Sequence, residues 1–280
     1  MLKNVRVTFI GGGVMAEAMI KGLLAKALVA PAQIVVAEPR TERAVELRAK
    51  YRVNTQTDNL SAVEGAGVIV LAVKPQVLGE ALAALKGRIP RQALVLSIAA
   101  GARISTIVDG LAHPAVVRSM PNTPAQVAQG MTVWSSAPGV TPNQQDQVRA
   151  ILGALGVEVY MEDEDYLDKA TALSGSGPAY VFLFMEALVE AGVQLGFTQK
   201  MAEQLVLQTM KGSVEYALQA QQDFSHLRKQ VTSPGGTTAE ALDYLDKAGF
   251  RTAISGALWA AYQKSIQLGQ EKKRDNGEKD

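Results

Sequence analysis

The sequence predicts an α/β fold: a doubly wound, mostly parallel sheet in the N-terminal half, followed by an all-α C-terminal domain. Three observations carry this. Short β-branched runs alternate with helical stretches up to about residue 160. The first of these runs ends in a glycine cluster that opens a helix. Beyond an acidic patch at 162–165 the strand-like runs stop, and long amphipathic stretches replace them.

The runs are residues 5–10, 34–37, 68–73, 93–98 and 116–118. Continuous apolar strands of this kind belong to a parallel sheet covered on both faces. Between them lie helices over 14–27, 41–50, 76–85 and 104–111, giving the βαβ rhythm of a doubly wound sheet. A strand at 131–135, a helix at 142–155 and a strand at 158–161 extend it. The amphipathic stretches that follow are 178–195, 199–220, 238–247 and 251–267. Pro178 suits a first helical turn, where its missing N–H costs nothing. Thr198 suits an N-cap. The boundary is expected at 162/163, dividing the chain into domains 1–162 and 163–270. The charged end, 271–280, reads as solvated and disordered. Small residues on the apolar faces of the last helix (Ala253, Gly256, Ala257, Ala260, Ala261) suggest that a helical domain of this size completes its core against a second copy.

Composition excludes several function classes. The chain has 280 residues, 48% hydrophobic and 20% charged, an ordinary globular mix. A net charge of +1 offers no field for nucleic acid or an anionic membrane, so neither is expected as a partner. The longest apolar stretches noted, 68–73 and 93–100, are too short to cross a bilayer. Residues 5–10 run straight into a glycine turn, which makes them a first strand rather than a signal peptide. With no cysteine there are no disulfides or thiolate nucleophiles, in keeping with a cytoplasmic protein. The two histidines, His113 and His226, are too few for a histidine-rich metal site, and no metal is expected. Both read as surface residues, His113 in a polar turn and His226 in a loop.

After the first strand, Gly11-Gly12-Gly13-Val14-Met15-Ala16 has the form G-x-G-x-x-A. In this place it is the Rossmann dinucleotide fingerprint. Gly11 permits the tight turn, Gly13 lets the backbone approach a pyrophosphate, and Ala16 lets the helix pack on the strand. Glu38, after the second strand, stands where a carboxylate binds a ribose 2′-hydroxyl and favours NAD. Arg40 and Arg43 follow it and can clamp a 2′-phosphate instead. Ala72-Val73-Lys74-Pro75 lies at the carboxyl end of a buried strand, where such sheets bind ligands. Residues 97–101, Ala100 among them, are small enough to leave room for a flat ring or ribose.

Few side chains here can do acid–base or nucleophilic work. That suits chemistry carried by a cofactor, with the protein supplying position and electrostatics. Hydride delivery to an imine fits, because a protonated C=N is already a strong electrophile.

Three loops narrow the reading: Arg118-Ser119-Met120-Pro121-Asn122-Thr123-Pro124, Leu173-Ser174-Gly175-Ser176-Gly177-Pro178-Ala179-Tyr180 and Val231-Thr232-Ser233-Pro234-Gly235-Gly236-Thr237-Thr238. Each alone is the common vocabulary of turns and helix starts. In this order behind a Rossmann half, they resemble the pyrroline-5-carboxylate reductase family over nearly the whole chain, about residues 5–268. The resemblance implies an NAD(P)H-dependent reductase that converts 1-pyrroline-5-carboxylate to L-proline, the last step of proline biosynthesis. It implies NADPH as preferred cofactor, with NADH also accepted, and a homodimer through the helical domain or a higher oligomer built from such dimers.

Residue by residue, the resemblance implies that Ser233, Gly236, Thr237 and Thr238 hold the substrate carboxylate, with Thr238 also the proposed proton donor. Free N–H groups at a helix start, with hydroxyls beside them, form an anion nest on their own account. A neutral hydroxyl is a poor acid, so Thr238 is expected to orient the imine or relay a proton from water. Asn59 matches a contact to the cofactor ribose, and Ala72, Val73 and Lys74 match the family's loop at the nicotinamide end. Val14 departs from the Asn or Gln often found after the last fingerprint glycine, and Gln221 and Gln230 replace the Glu and Asn of some members.

Two rivals compete. A β-hydroxyacid dehydrogenase carries a lysine four residues after its last small-loop glycine, where Val181 stands here. A dinucleotide sensor without catalysis has no use for a small-anion nest.

Overall fold

The computed structural model describes residues 2–277, with side chains described as far as Gly269. The apolar runs become β1 (Val7–Ile10), β2 (Ile34–Ala37) and, after the short polar strand β3 (Asn54–Gln56), β4 (Val68–Leu71), β5 (Leu94–Ser97) and β6 (Val116–Met120). β7 (Gly130–Ser136) and β8 (Gly156–Tyr160) complete one eight-stranded sheet in the order β3-β2-β1-β4-β5-β6-β7-β8. Every pairing is parallel except β6 with β7. The link at 121–129 is too short for a parallel crossover, which takes a dozen or more residues.

β1, β2, β4 and β5 are buried at every position. Helices cover them: α1 (Val14–Ala25), α2 (Thr41–Tyr51), α3 (Asn59–Val63), α4 (Leu78–Leu85), α5 (Ile104–Leu111) and α6 (Pro142–Gly153). Phe9, Ile20, Leu47, Ile69 and Leu85 lie at the centre of the core, fully buried. Each such side chain contributes about 1.5–3 kcal/mol by leaving water. Local signals set the helix ends. Asp58 accepts the Ser61 N–H to start α3, and Thr141 forms a capping box with Gln144 ahead of Pro142. α2 and α5 stop at residues in the left-handed region, Arg52 and Ala112. His113 is buried, not on the surface, because its Nε2 pairs with the Ala93 carbonyl at 2.7 Å.

α7 (Tyr166–Ala170) and a single π-turn (Thr171–Gly175) lead into α8 (Gly177–Gln194). Then come α9 (Gln199–Ala220), α10 (Phe224–Gln230), α11 (Thr237–Lys247) and α12 (Phe250–Gly277). His226 lies in α10 rather than a loop, and Thr198 caps α9 by accepting the Met201 N–H. α7 and the π-turn pack on the last strands, so the first compact unit extends beyond the boundary expected at 162/163. It runs to Ser176 and takes back the chain from Ala261; Gly177–Ala260 is the second unit. α12 is helical through Gly277, within the end expected to be disordered; residues 278–280, and side chains from Gln270 on, lie outside the described residues.

Within the second unit, α8 and α9 pack together, and Gly192 lets Ala202 come close: a Cβ at Gly192 would stand 3.1 Å from that of Ala202. Large apolar side chains there remain in water, among them Leu195 (82% exposed) and Phe224 (80%). The helical run Tyr166–Gln194 is also long and apolar enough by length and composition to cross a membrane, whereas the strand-forming runs at 68–73 and 93–100 are too short. Glu186 and Glu190 interrupt it, and with Phe182, Met185, Val189 and Leu207 they line a groove of about 800 Å³ between α8 and α9.

Candidate active site

The strand order reverses between β1, which is followed by the glycine loop, and β4, which is followed by Lys74. At this switch point doubly wound sheets open a crevice. The glycines play separable parts. Gly11 has φ +98°, its N–H donates to the Ala37 carbonyl at 2.9 Å, and a Cβ on it would come within 2.8 Å of the Ala72 oxygen. Gly12 is crowded by Leu47, 2.8 Å from where a Cβ would sit. Gly13, at the N-cap of α1, has an ordinary φ of −70° and nothing within 4 Å of a would-be Cβ. The fold itself thus demands the first two glycines but not the third. An open, uncapped helix start of this kind fits the pyrophosphate of a dinucleotide. Ala16 is buried against the core, Met15 is half-buried, and Val14 is exposed beside the loop.

Glu38 is buried (3% exposed) directly behind this loop and accepts the Gly12 N–H at 3.1 Å. Arg40, whose side chain is 68% exposed, grips the same carboxylate through Nε at 2.8 Å and Nη2 at 3.0 Å. Burial alone would raise the Glu38 pKa; bonds from the Arg40 side chain and backbone and from Gly12 lower it, so the group stays ionised. Arg43 is bonded to the Gly12 carbonyl, Glu17 and Glu46. Asn59 is half-buried in the first turn of α3.

On the neighbouring strand ends, the Ala72 N–H donates to the Ile10 carbonyl at 2.9 Å, so the loop after β4 lies beside the glycine loop. Val73 is half-buried and Lys74 exposed. Ala100 is half-buried just beyond β5. The first loop motif is structural. Arg118 is buried against Glu164 and Asp168, and Ser119 donates to the Ser97 carbonyl at 3.1 Å. The Asn122 side chain donates to Ser174 in the π-turn at 3.0 Å and accepts the Met131 N–H at 2.9 Å. Gly175 lets that turn approach Met120, whose Cε would lie 2.8 Å from a Cβ. π-turns of this sort recur at functional sites.

The third motif belongs to the second unit. Gly235 turns the chain with φ +68°, and the Gly236 N–H donates to the Ser233 carbonyl at 3.1 Å. A Cβ at Gly236 would sit 2.5 Å from the Ser233 hydroxyl oxygen, so any side chain there would displace that hydroxyl. Gly236 is the N-cap of α11 and offers no side-chain cap. The first amides of α11, at Thr237 and Thr238, therefore keep the positive end of the helix free for an anion. Thr238 is half-buried; Ser233 and Thr237 are exposed.

Comparison with known proteins decides the family. Residues 164–268 match the family model described as pyrroline-5-carboxylate reductase dimerisation, and residues 6–101 match that described as NADP oxidoreductase, coenzyme F420-dependent. The pyrroline-5-carboxylate reductase of Synechocystis is 42% identical over 95% of this chain and 99% of its own. The chain belongs to the pyrroline-5-carboxylate reductase family. It is an NAD(P)H-dependent oxidoreductase. The solved structure of the Coxiella burnetii reductase superposes with a TM-score of 0.87 at 38% identity, covering 94% of this chain and 98% of the other. The Plasmodium falciparum reductase, solved with NADP bound, gives 0.87 at 32% identity, covering 95% and 98%. The hydroxyacid dehydrogenase and sensor readings are set aside.

Proposed function

We propose that the enzyme reduces the C=N bond of 1-pyrroline-5-carboxylate to give L-proline, with Ser233, Gly236, Thr237 and Thr238 holding the substrate carboxylate. The observation that carries this is the uncapped start of α11, where the Ser233 hydroxyl lies over Gly236. Family membership supports the substrate. The bound nicotinamide supplies the hydride. Gly11, Gly12, Gly13, Val14 and Met15 hold the pyrophosphate, and Asn59 meets the ribose. Ala72, Val73, Lys74 and Ala100 border the nicotinamide end. The hydride's electron pair forms the new bond to the ring carbon of the protonated imine, and the C=N π pair moves to the nitrogen and neutralises it. Thr238 aims that nitrogen, by its hydroxyl, toward the proton source.

NADPH is the preferred cofactor in this reading, and NADH is also used. Arg40, exposed and already gripping Glu38, offers its outer face to a 2′-phosphate.

The exposed apolar faces of α8 and α9 are proposed as the surface of a homodimer, from which a higher oligomer can be built. The matched dimerisation model over 164–268 supports this use of the long apolar run better than a lipid contact does. We assign the enzyme to the cytoplasm, with no nucleic acid or membrane as partner, in keeping with a cysteine-free chain of nearly balanced charge. The test is NADPH oxidation on addition of 1-pyrroline-5-carboxylate, with proline measured as product. Equal amounts of both are expected; oxidation without proline overturns the substrate assignment.

A further inference from the structure

The Gly12 peptides are held on both sides. Glu38 takes the Gly12 N–H at 3.1 Å, and Arg43 Nε donates to the Gly12 carbonyl at 2.9 Å. Arg43 is itself fixed: Nη2 bonds Glu17, and Nη1 bonds Glu46 at 2.7 Å. Glu17 also accepts from Lys50 at 2.8 Å and the Tyr51 hydroxyl at 2.8 Å, so α1, α2 and the glycine loop form one braced unit. Burial would raise the Glu17 pKa, yet bonds from Lys50, Arg43 and Tyr51 bring it to about 2, which keeps the brace charged at neutral pH.

The 12–13 peptide is trans, so the Gly13 N–H points opposite to the Gly12 carbonyl. With that carbonyl turned toward Arg43, the amide faces away from it, on the open side of the helix start. All three guanidinium nitrogens of Arg43 are engaged, its side chain is only 16% exposed, and two carboxylates flank it. A second phosphate there would meet both of those negative charges. We propose that Arg43 is a positioning residue for the dinucleotide loop, turning the Gly13 amide toward the pyrophosphate, and that it takes no part in selecting NADPH over NADH. This rests on the pyrophosphate site proposed above.

The test is calorimetric titration of the full-length enzyme with NADPH and with NADH, alongside thermal unfolding. R43Q should raise both dissociation constants by the same factor, about tenfold for one mis-set amide. R43K should restore part of the affinity, and kcat at saturating cofactor should stay near wild type. A loss confined to NADPH would mean that Arg43 contacts the 2′-phosphate, and two unchanged constants would mean that the loop sets itself; either result overturns the proposal. If R43Q does not fold, E17Q carries the test, with a smaller but equal weakening for both cofactors; no weakening overturns it. Gly13→Val, titrated in parallel, tests the underlying site: wild-type binding by that variant would reject the pyrophosphate reading, whatever Arg43 does.

Discussion

Arg118 Nη2 donates to Asp168 Oδ1 at 2.8 Å, and neither side chain meets solvent to any extent. Ser265 on α12 donates to the same oxygen at 2.7 Å, and Arg118 Nη1 reaches Glu164 at 3.0 Å. A carboxylate after the sheet therefore fastens the returning end of the last helix to β6. Removing it leaves the buried guanidinium with Glu164 but without its buried partner. Asp168→Ala should cost about 2–3 kcal/mol of stability, because a charge-assisted bond to a buried cation is lost. Ser265→Ala should cost roughly 1 kcal/mol, since it removes one neutral donor. Urea unfolding of both variants checks the ratio, and equal losses would show that Asp168 is not the centre of the cluster.

Gly11 and Gly13 should fail in opposite ways. Gly11→Ala pushes a Cβ against the Ala72 carbonyl in a left-handed backbone, so the melting temperature should fall. Gly13→Val meets no protein atom and should fold, at the cost of about 1 kcal/mol for a poorer N-cap. It should not bind dinucleotide. Thermal unfolding paired with NADPH titration separates the two. A folded Gly13→Val that binds normally contradicts the account.

Arg40 is the discriminating cation. Its loss removes a phosphate donor and leaves the Glu38 charge uncovered, which repels a phosphate yet accepts a ribose hydroxyl. Arg40→Ala should lower the ratio of kcat/KM for NADPH over NADH by about tenfold or more, equivalent to one charge-assisted hydrogen bond. A wild-type preference of tenfold for NADH would show instead that Glu38 governs the choice.

How much of this was legible in the sequence follows from the physics of each element. β1, β2, β4 and β5 are buried on both faces, so their apolar runs announced them. β3 escaped notice because Asn54, Thr55 and Gln56 are polar, as an edge strand permits. α3 and α10 were too short for periodicity to register, although Asp58 and Asp223 were readable as caps. His113 looked solvent-facing beside Pro114, and only the fold shows the Ala93 carbonyl waiting for it. Arg43 read as a candidate 2′-phosphate clamp, and its bonds to the glycine loop could not be foreseen. Its partners Gly12 and Glu17 are distant in sequence and meet only when α1 and α2 dock. The glycine fingerprint and the helix-start loop were legible because backbone demands there leave few residues to choose from.

Thr238 separates aiming from acid catalysis. If the hydroxyl only orients the imine, Thr238→Ser should keep most activity, and Thr238→Ala should lose about 1–3 kcal/mol of transition-state stabilisation. A proton shared in the transition state would instead cost up to about 10⁴-fold. Profiles of kcat/KM against pH for the three proteins, with solvent isotope effects, tell these apart. Wild-type rates in Thr238→Ala throughout would move the substrate away from this loop.

The claim that hydride passes from the nicotinamide to the imine carbon is tested most directly by isotope transfer. The enzyme is supplied with NADPH doubly deuterated at C4, together with 1-pyrroline-5-carboxylate, and the product is examined by mass spectrometry and NMR. The account predicts proline carrying one deuterium, on the ring CH2 carbon beside the nitrogen and not on the carbon that bears the carboxylate. Unlabelled proline, or label at any other carbon, would contradict it.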